Sequence, residues 1–203
     1  MRSSTLAVVP KEPTRAIVRR KIGESAVKNR ATAGTSRTVF LVRHAKSSRD
    51  DISLLDTDRP LADRGRRDAP EMGKRLARRG VKPDLMLSSP ALRARSTAEL
   101  IAEELDYKRK DVVIEDRLYG GGADDLLEVI HRLDDKVKSV MLFGHNPELT
   151  ELAHRISSQI THLPTCAVAE FRFDAKSWPN VSKATLLKAA LDYPKQSQVE
   201  ASD

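Results

Sequence analysis

The sequence predicts an α/β fold, a three-layer α/β/α sandwich with a mostly parallel central sheet. From Thr38 onward, short runs rich in β-branched residues alternate with longer stretches of helical periodicity, and this order is typical of βα units. Most of the short runs are apolar throughout, as expected of strands that helices cover on both faces. The chain has 203 residues, of which 39% are hydrophobic and 32% charged, so its size suits one domain with loose ends.

Six strands and four helices are expected along the chain. The predicted strands cover residues 38–43, 84–88, 112–115, 139–143, 167–173 and 185–191. The predicted helices cover residues 63–79, 90–105, 123–133 and 147–156. The first helix has Met72 and Leu76 on its apolar side and ends before Gly80. Ser89 and Asn146 are expected to cap the second and fourth helices, because each stands directly before a proline that suits a first helical turn.

The net charge of +7 is concentrated near the amino-terminal end. Residues 1–36 hold eight lysines and arginines against two acidic residues, which accounts for most of that excess. The same residues show no sustained periodicity and are rich in Ser, Thr, Ala and Pro. We therefore expect residues 1–36 to be a disordered basic tail, residues 37–194 to form the folded functional domain, and residues 195–203 to be a frayed carboxyl-terminal tail.

The basic tail has two interpretations. Its Arg- and Ser-rich, acid-poor composition is that of an organellar transit peptide, and the alternative is a solvated extension with no targeting role. The expected location is cytoplasmic, with an organelle as the alternative. No nucleic-acid partner is expected for the folded domain, since the basic excess lies in the tail and lacks interleaved aromatic residues. No membrane partner is expected either, because no stretch approaches the roughly 18 consecutive apolar residues of a spanning helix.

The cysteine content and the glycine pattern exclude several classes of site. Cys166 is the single cysteine, so a disulfide framework and a multi-cysteine zinc site are excluded, and no Cys-x5-Arg phosphatase loop surrounds it. The sequence has no Walker-type glycine loop and no dinucleotide fingerprint. We therefore expect neither a metal nor a cofactor.

Basic and imidazole side chains recur where three predicted strands end. Arg43 and His44 follow the first strand, Arg93 lies four residues after Ser89 at the start of the second helix, and His145 follows the fourth strand. In an open α/β sheet, ligands bind outside the carboxyl ends of the strands, so these four side chains are expected to converge. Guanidinium groups and helix amino termini suit a phosphate group.

Two histidines in such a pocket are better explained by catalysis than by binding alone. A neutral imidazole can attack phosphorus and form a phosphohistidine that water then hydrolyses. The two arginines and the second histidine would stabilise the charge on the phosphoryl oxygens. Lys46, Ser47 and Asn146 are further candidates for contact with the substrate, and Arg49 stands near the same mouth.

The order of these motifs resembles the histidine phosphatase superfamily, the phosphoglycerate-mutase-like proteins, and within it the SixA-type phosphohistidine phosphatases. The resemblance extends over roughly residues 38–194 and rests on Val42-Arg43-His44-Ala45-Lys46-Ser47, Asp58-Arg59-Pro60-Leu61, Ser88-Ser89-Pro90-Ala91-Leu92-Arg93-Ala94, Leu118-Tyr119-Gly120, Gly144-His145-Asn146-Pro147 and Leu163-Pro164-Thr165-Cys166. It implies a phosphoglycerate-mutase-like fold. It also implies that His44 accepts the phosphoryl group, that Arg43 and Arg93 bind it, and that His145 completes the pocket.

The general acid is the least constrained part of this resemblance. Mutase-type relatives place a Glu a few residues before a Tyr-Gly-Gly run, and Asp116 holds the comparable position here, with Glu115 beside it. Arg49 departs from the pattern, because the short subfamily usually has Trp there. A phosphoramidate leaving group needs less acid assistance than an alcohol, so a phosphohistidine substrate tolerates the absence of an acid.

The expected activity is a metal-independent hydrolysis of phosphohistidine on a protein partner through phospho-His44. One alternative is a phosphatase for small phosphomonoesters, which would need a working acid such as Asp116. The other is a phosphate-binding regulatory module with weak turnover.

Overall fold

The computed structural model of the chain describes residues 36–196, and both predicted tails lie mostly outside this range. The strands are β1 (Ser36–Arg43), β2 (Leu85–Ser88), β3 (Val113–Ile114), β4 (Ser139–Gly144), β5 (Val168–Asp174) and β6 (Leu186–Asp192). The helices are α1 (Asp63–Arg78), α2 (Leu92–Glu104), α3 (Ala123–His131) and α4 (Glu148–Ile156). All six strands and four helices expected from the sequence are therefore present, with shifted ends.

The six strands form one mixed sheet in the order β3-β2-β4-β1-β5-β6. Strands β1 to β4 run parallel, and β5 runs antiparallel to both of its neighbours. Arg43 pairs with Gly144 in the β1–β4 register, and Ser88 pairs with Phe143 in the β2–β4 register. The carboxyl ends of β1, β2 and β4 therefore meet at one edge of the sheet, which is where the sequence places its basic and imidazole residues.

The helices cover both faces of the sheet, which confirms the predicted three-layer fold. Val39 and Leu41 of β1 belong to the buried cluster that includes apolar residues of α3 and α4. Phe40 and Val42 point to the opposite face and join the cluster that includes Met72 and other residues of α1 and α2. This alternation along β1 is the period of two that a pleated strand imposes on its side chains.

The observed helix and strand ends differ from the predicted boundaries by at most two residues. Strand β3 has two residues instead of four, because the chain turns into a 3₁₀ helix at Asp116–Leu118. The predicted caps are also wrong, since Ala91 and Pro147 precede α2 and α4 and neither helix has a side-chain cap. Ser89 and Asn146 instead direct their polar groups toward the site described next.

Candidate active site

His44 lies directly after β1, and its ring is held in one tautomer. Its backbone N–H donates to Gly144 O at 3.0 Å, and Nδ1 lies 2.8 Å from Ala45 O. A carbonyl oxygen only accepts, so Nδ1 carries the proton and Nε2 keeps its lone pair. Burial, together with the charges of Arg93 and Arg43, lowers the pKa of His44 to about 4. The ring is therefore neutral at pH 7, as a nucleophile must be.

His145 lies directly after β4 and faces His44, with 5.1 Å between the ring centroids. Its Nε2 lies 2.8 Å from the Ser89 hydroxyl, which also accepts the Ala91 N–H at 3.2 Å. The Ser89 hydroxyl can donate its proton to Nε2, and in that tautomer the ring proton of His145 is on Nδ1. Nδ1 is buried and has no hydrogen-bond partner among residues 36–196. Burial and the positive charges around it lower the pKa of His145 to about 3.

The two predicted arginines flank this histidine pair. Arg43 donates from Nη1 to Leu163 O at 2.8 Å, while its buried Nε has no partner within the described part of the chain. Arg93 is 6% exposed and donates from Nη2 to Oδ2 of Asp56 at 2.8 Å. The charges of both guanidinium groups act on His44 and His145. Arg43 Nε is therefore a buried N–H group suited to a phosphoryl oxygen, and His145 Nδ1 is a second one in the tautomer that carries the proton there.

Three residues at the mouth of the pocket were not predicted as site residues. Asp56 accepts hydrogen bonds from Arg93, from Nη1 of Arg59 at 2.9 Å, and from the Tyr119 hydroxyl at 3.0 Å. The Tyr119 ring meets that of His145 edge-on, at 5.3 Å between centroids. Partial burial acts to raise the pKa of Asp56, but these three donors outweigh it and lower the pKa to about 2. Arg59 and Tyr119 stand inside motifs of the family resemblance, so that signal could have identified them.

The remaining predicted site residues have different surroundings. Lys46 is exposed, and its backbone carbonyl accepts the Ala62 N–H at 2.8 Å. The Ser47 hydroxyl accepts from Nη2 of Arg59 at 3.0 Å. Asn146 donates from Nδ2 to Leu163 O at 3.0 Å, and its buried Oδ1 has no partner among the residues described. Ser47 and Asn146 are therefore linked to the pocket through Arg59 and through the carbonyl that also holds Arg43.

The proposed acid Asp116 is exposed at the start of the 3₁₀ helix that precedes Tyr119. Glu115 beside it is buried, and its carboxylate accepts from Nε of Arg117 at 2.9 Å. The Glu115 carboxylate is therefore held in an ion pair with Arg117. The acid role of Asp116 stays a prediction.

Two buried contacts hold the loop after His44 in place. Oγ1 of Thr97, a fully buried residue of α2, accepts the Ala45 N–H at 3.0 Å and donates to Arg93 O at 2.6 Å. Gly65 of α1 packs against Lys46, where an added Cβ would lie 2.2 Å from the Lys46 carbonyl oxygen. Helix α2 thus contacts the loop after His44 through the Thr97 hydroxyl, and α1 can pack closely against it because Gly65 has no side chain.

Within the described range, no cluster of three or more His, Cys, Asp or Glu side chains is arranged to hold a metal ion. The helices between residues 36 and 196 include none long and apolar enough to cross a membrane. Cys166 is fully buried, and burial raises the pKa of its thiol. Its backbone N–H donates to His44 O at 3.2 Å, so its visible contribution to the site is made by the main chain.

Comparison with known proteins places this geometry in a family. The sequence profile of the histidine phosphatase superfamily (branch 1) matches residues 39–120, which include Arg43, His44, Arg93 and Tyr119. An uncharacterized chloroplastic protein of Arabidopsis thaliana is 34% identical over 151 residues, which cover 70% of this chain and 69% of the relative. The chain belongs to the histidine phosphatase superfamily.

Solved structures of SixA proteins share the fold of this histidine phosphatase. SixA from Agrobacterium tumefaciens is 28% identical, with a TM-score of 0.63 over 76% of this chain and 97% of that chain. SixA from Nakamurella multipartitia has a TM-score of 0.69 at 22% identity, over 82% of this chain and 99% of that chain. The resemblance to the SixA type that the motifs indicated is confirmed.

Proposed function

We propose that this histidine phosphatase hydrolyses phosphohistidine on a protein substrate through a covalent phospho-His44 intermediate. Membership of the superfamily supports phosphatase activity. The observation that favours a covalent route is the state of His44, a neutral ring whose Nδ1–H donates a hydrogen bond to Ala45 O. Its Nε2 lone pair is thereby free to attack in a pocket bordered by two arginines and a second histidine.

The proposed reaction has two displacements at phosphorus. Nε2 of His44 forms a bond to phosphorus while the P–N bond of the substrate breaks, and the electron pair of that bond returns to the leaving imidazole. Water then attacks phospho-His44, which releases inorganic phosphate and restores the ring. In both steps Arg43, Arg93 and His145 Nδ1 stabilise the negative charge on the phosphoryl oxygens. The positive charge that these steps need comes from side chains, so we propose a metal-independent reaction.

The SixA protein of Agrobacterium tumefaciens carries the name of a phosphohistidine phosphatase, which favours the same substrate class here. An imidazole is a better leaving group than an alcohol, so the reaction does not depend on Asp116. A histidine-phosphorylated protein is accordingly the partner we propose.

The test compares the wild type with His44→Ala on a histidine-phosphorylated carrier protein and on an aryl phosphate. Quenched samples are examined for an acid-labile phosphoenzyme. His154→Ala is the matched control, because His154 is an exposed histidine of α4. We expect His44→Ala to lose the phosphoenzyme and nearly all turnover, while the control keeps both. Full turnover by His44→Ala would rule out the covalent mechanism.

The same assay separates the alternatives. Hydrolysis of the aryl phosphate alone, abolished by Asp116→Asn, would favour a small-molecule phosphomonoesterase. Tight retention of phosphate without turnover would favour a phosphate-binding regulatory module.

The location in the cell is a separate proposal. The sequence favours the cytoplasm with an organelle as the alternative, and the Arabidopsis relative is described as chloroplastic. The first 35 residues, to which the transit-peptide prediction applies, lie outside the described range. A fluorescent protein fused behind residues 1–36 tests the alternative: a diffuse signal supports the cytoplasm, and an organellar signal supports targeting.

A further inference from the structure

Asp56 places a carboxylate at the rim of the catalytic pocket, on the 3₁₀ helix Asp56–Asp58 between β1 and α1. It binds the phosphate-binding Arg93 directly, and through the Tyr119 hydroxyl it is linked to the ring that contacts His145. Its side chain is nevertheless 52% exposed. The carboxylate therefore belongs to the pocket and is still open to whatever enters it.

The hydrogen bonds of Asp56 leave one acceptor position free. A carboxylate has about four lone-pair positions. Oδ2 accepts from Arg93 and Tyr119, while Oδ1 accepts from Arg59 alone. The side chain is half-exposed, so Oδ1 retains room for one further donor, and the three existing donors hold the carboxylate in place. The pKa of about 2 means that this acceptor remains ionised at neutral pH.

A fixed anion at this rim discriminates between kinds of leaving group. The attacking and leaving atoms lie roughly in line at phosphorus, so the leaving group points away from His44 toward the pocket mouth. The oxygen of a phosphoester gains negative charge as it leaves, and a nearby carboxylate opposes that change. The imidazole of phosphohistidine has a second ring nitrogen that can carry a proton, and this N–H can donate to a carboxylate.

We propose that Asp56 is a specificity-determining residue that accepts a hydrogen bond from the protonated distal ring nitrogen of a phosphohistidine leaving group. This inference rests on the proposed function and deepens it. As His44 attacks, the P–N bond breaks and its electron pair returns to the ring nitrogen. The ring keeps its distal proton and leaves as neutral imidazole, so no proton donor is needed. Asp56 favours the reactive, protonated form of the substrate.

The test uses two small substrates that remove any contribution from protein docking, N-phosphoimidazole and 4-nitrophenyl phosphate. For Asp56→Asn we expect kcat/KM on N-phosphoimidazole to fall about tenfold, equivalent to about 1.4 kcal/mol. On 4-nitrophenyl phosphate we expect kcat/KM to stay the same or rise. Asp58→Asn removes the same charge two residues away, from an exposed side chain that accepts a hydrogen bond from the Thr57 hydroxyl, and should change neither value. Thermal unfolding of each variant, with Asp56→Ala as a second substitution, verifies the fold.

Other results would overturn the inference or the function on which it rests. Equal losses on both substrates would make Asp56 a positioning residue for Arg93. Equal gains would make it an occluding group that competes with phosphate. A wild type that cleaves the ester but not N-phosphoimidazole would refute the proposed function itself, whereas cleavage of both with an unchanged ratio in Asp56→Asn would refute only the role of Asp56.

Discussion

Replacing Thr97 by valine tests whether the hydroxyl that links α2 to the loop after His44 positions the ring that we propose as the nucleophile. Thr97 Oγ1 is the acceptor for the Ala45 N–H, and the carbonyl of the same Ala45 holds Nδ1 of His44. Valine keeps the shape of the side chain and removes the oxygen. The Ala45 N–H then has no partner at a site where Thr97 is fully buried.

The expected loss of stability follows from that orphaned donor. Leaving a buried donor unsatisfied costs about 1–3 kcal/mol. The Arg93 carbonyl loses a 2.6 Å hydrogen bond but keeps its helical N–H donor, so it adds little. For a chain of this length, about 2 kcal/mol corresponds to a decrease in Tm of about 4–8 °C. We also expect kcat to fall by about tenfold, because the Ala45 peptide no longer fixes the His44 ring.

The assay pairs thermal unfolding with steady-state hydrolysis of 4-nitrophenyl phosphate. Thr97→Ser is the matched control, since it retains the hydroxyl and loses one methyl group, a change of about 1 kcal/mol. We expect the serine variant to keep kcat and most of the Tm. A valine variant with the Tm and kcat of the wild type would refute the reasoning.

Four further predictions follow from the site and its supports. Burial lowers the pKa of His44 to about 4 and that of His145 to about 3. In an NMR titration, neither ring should therefore gain a proton between pH 8 and pH 5. A titration of either ring near pH 6.5 would contradict this prediction. Since an unfolded histidine gains its proton near pH 6.5, the free energy of unfolding should decrease as the pH falls from 6.5 toward 4, and His44→Gln should flatten that slope in urea titrations. Gly65→Ala should lower the free energy of unfolding by about 1–3 kcal/mol, because the added Cβ would clash with the Lys46 carbonyl oxygen. Gly122→Ala is the control and should change this free energy little, since its Cβ would lie 3.8 Å from the nearest neighbouring atom. Equal effects of the two substitutions would exclude the close approach at Gly65 as the cause. Deleting residues 1–35 should leave kcat unchanged, because every group of the described site lies between Arg43 and Cys166. A collapse of activity would place a functional element in that segment.

The convergence of Arg43, His44, Arg93 and His145 could be predicted from sequence because it depends only on chain order and strand direction. Each residue follows a short apolar run, and parallel strands present their carboxyl ends at the same edge whatever the details of packing. The same order of motifs also identified the superfamily. The division of the net charge between residues 1–36 and the rest of the chain is likewise a property of the sequence alone.

The tertiary structure decided which polar atoms form hydrogen bonds with each other between residues that are far apart in the sequence. Asp56 accepts hydrogen bonds from Arg93, which is 37 residues away in the sequence, and from Tyr119, which is 63 residues away. The Arg43 guanidinium donates to the Leu163 carbonyl across a sequence separation of 120 residues. No local pattern specifies such partners, because they arise only when separate loops pack around a common pocket and their buried donors must be paired. For the same reason Ser89 and Asn146, which resemble helix caps in sequence, serve the site instead. The sequence thus determined which strand ends hold the basic and imidazole side chains. Packing determined that the carboxylate of Asp56 lies beside them.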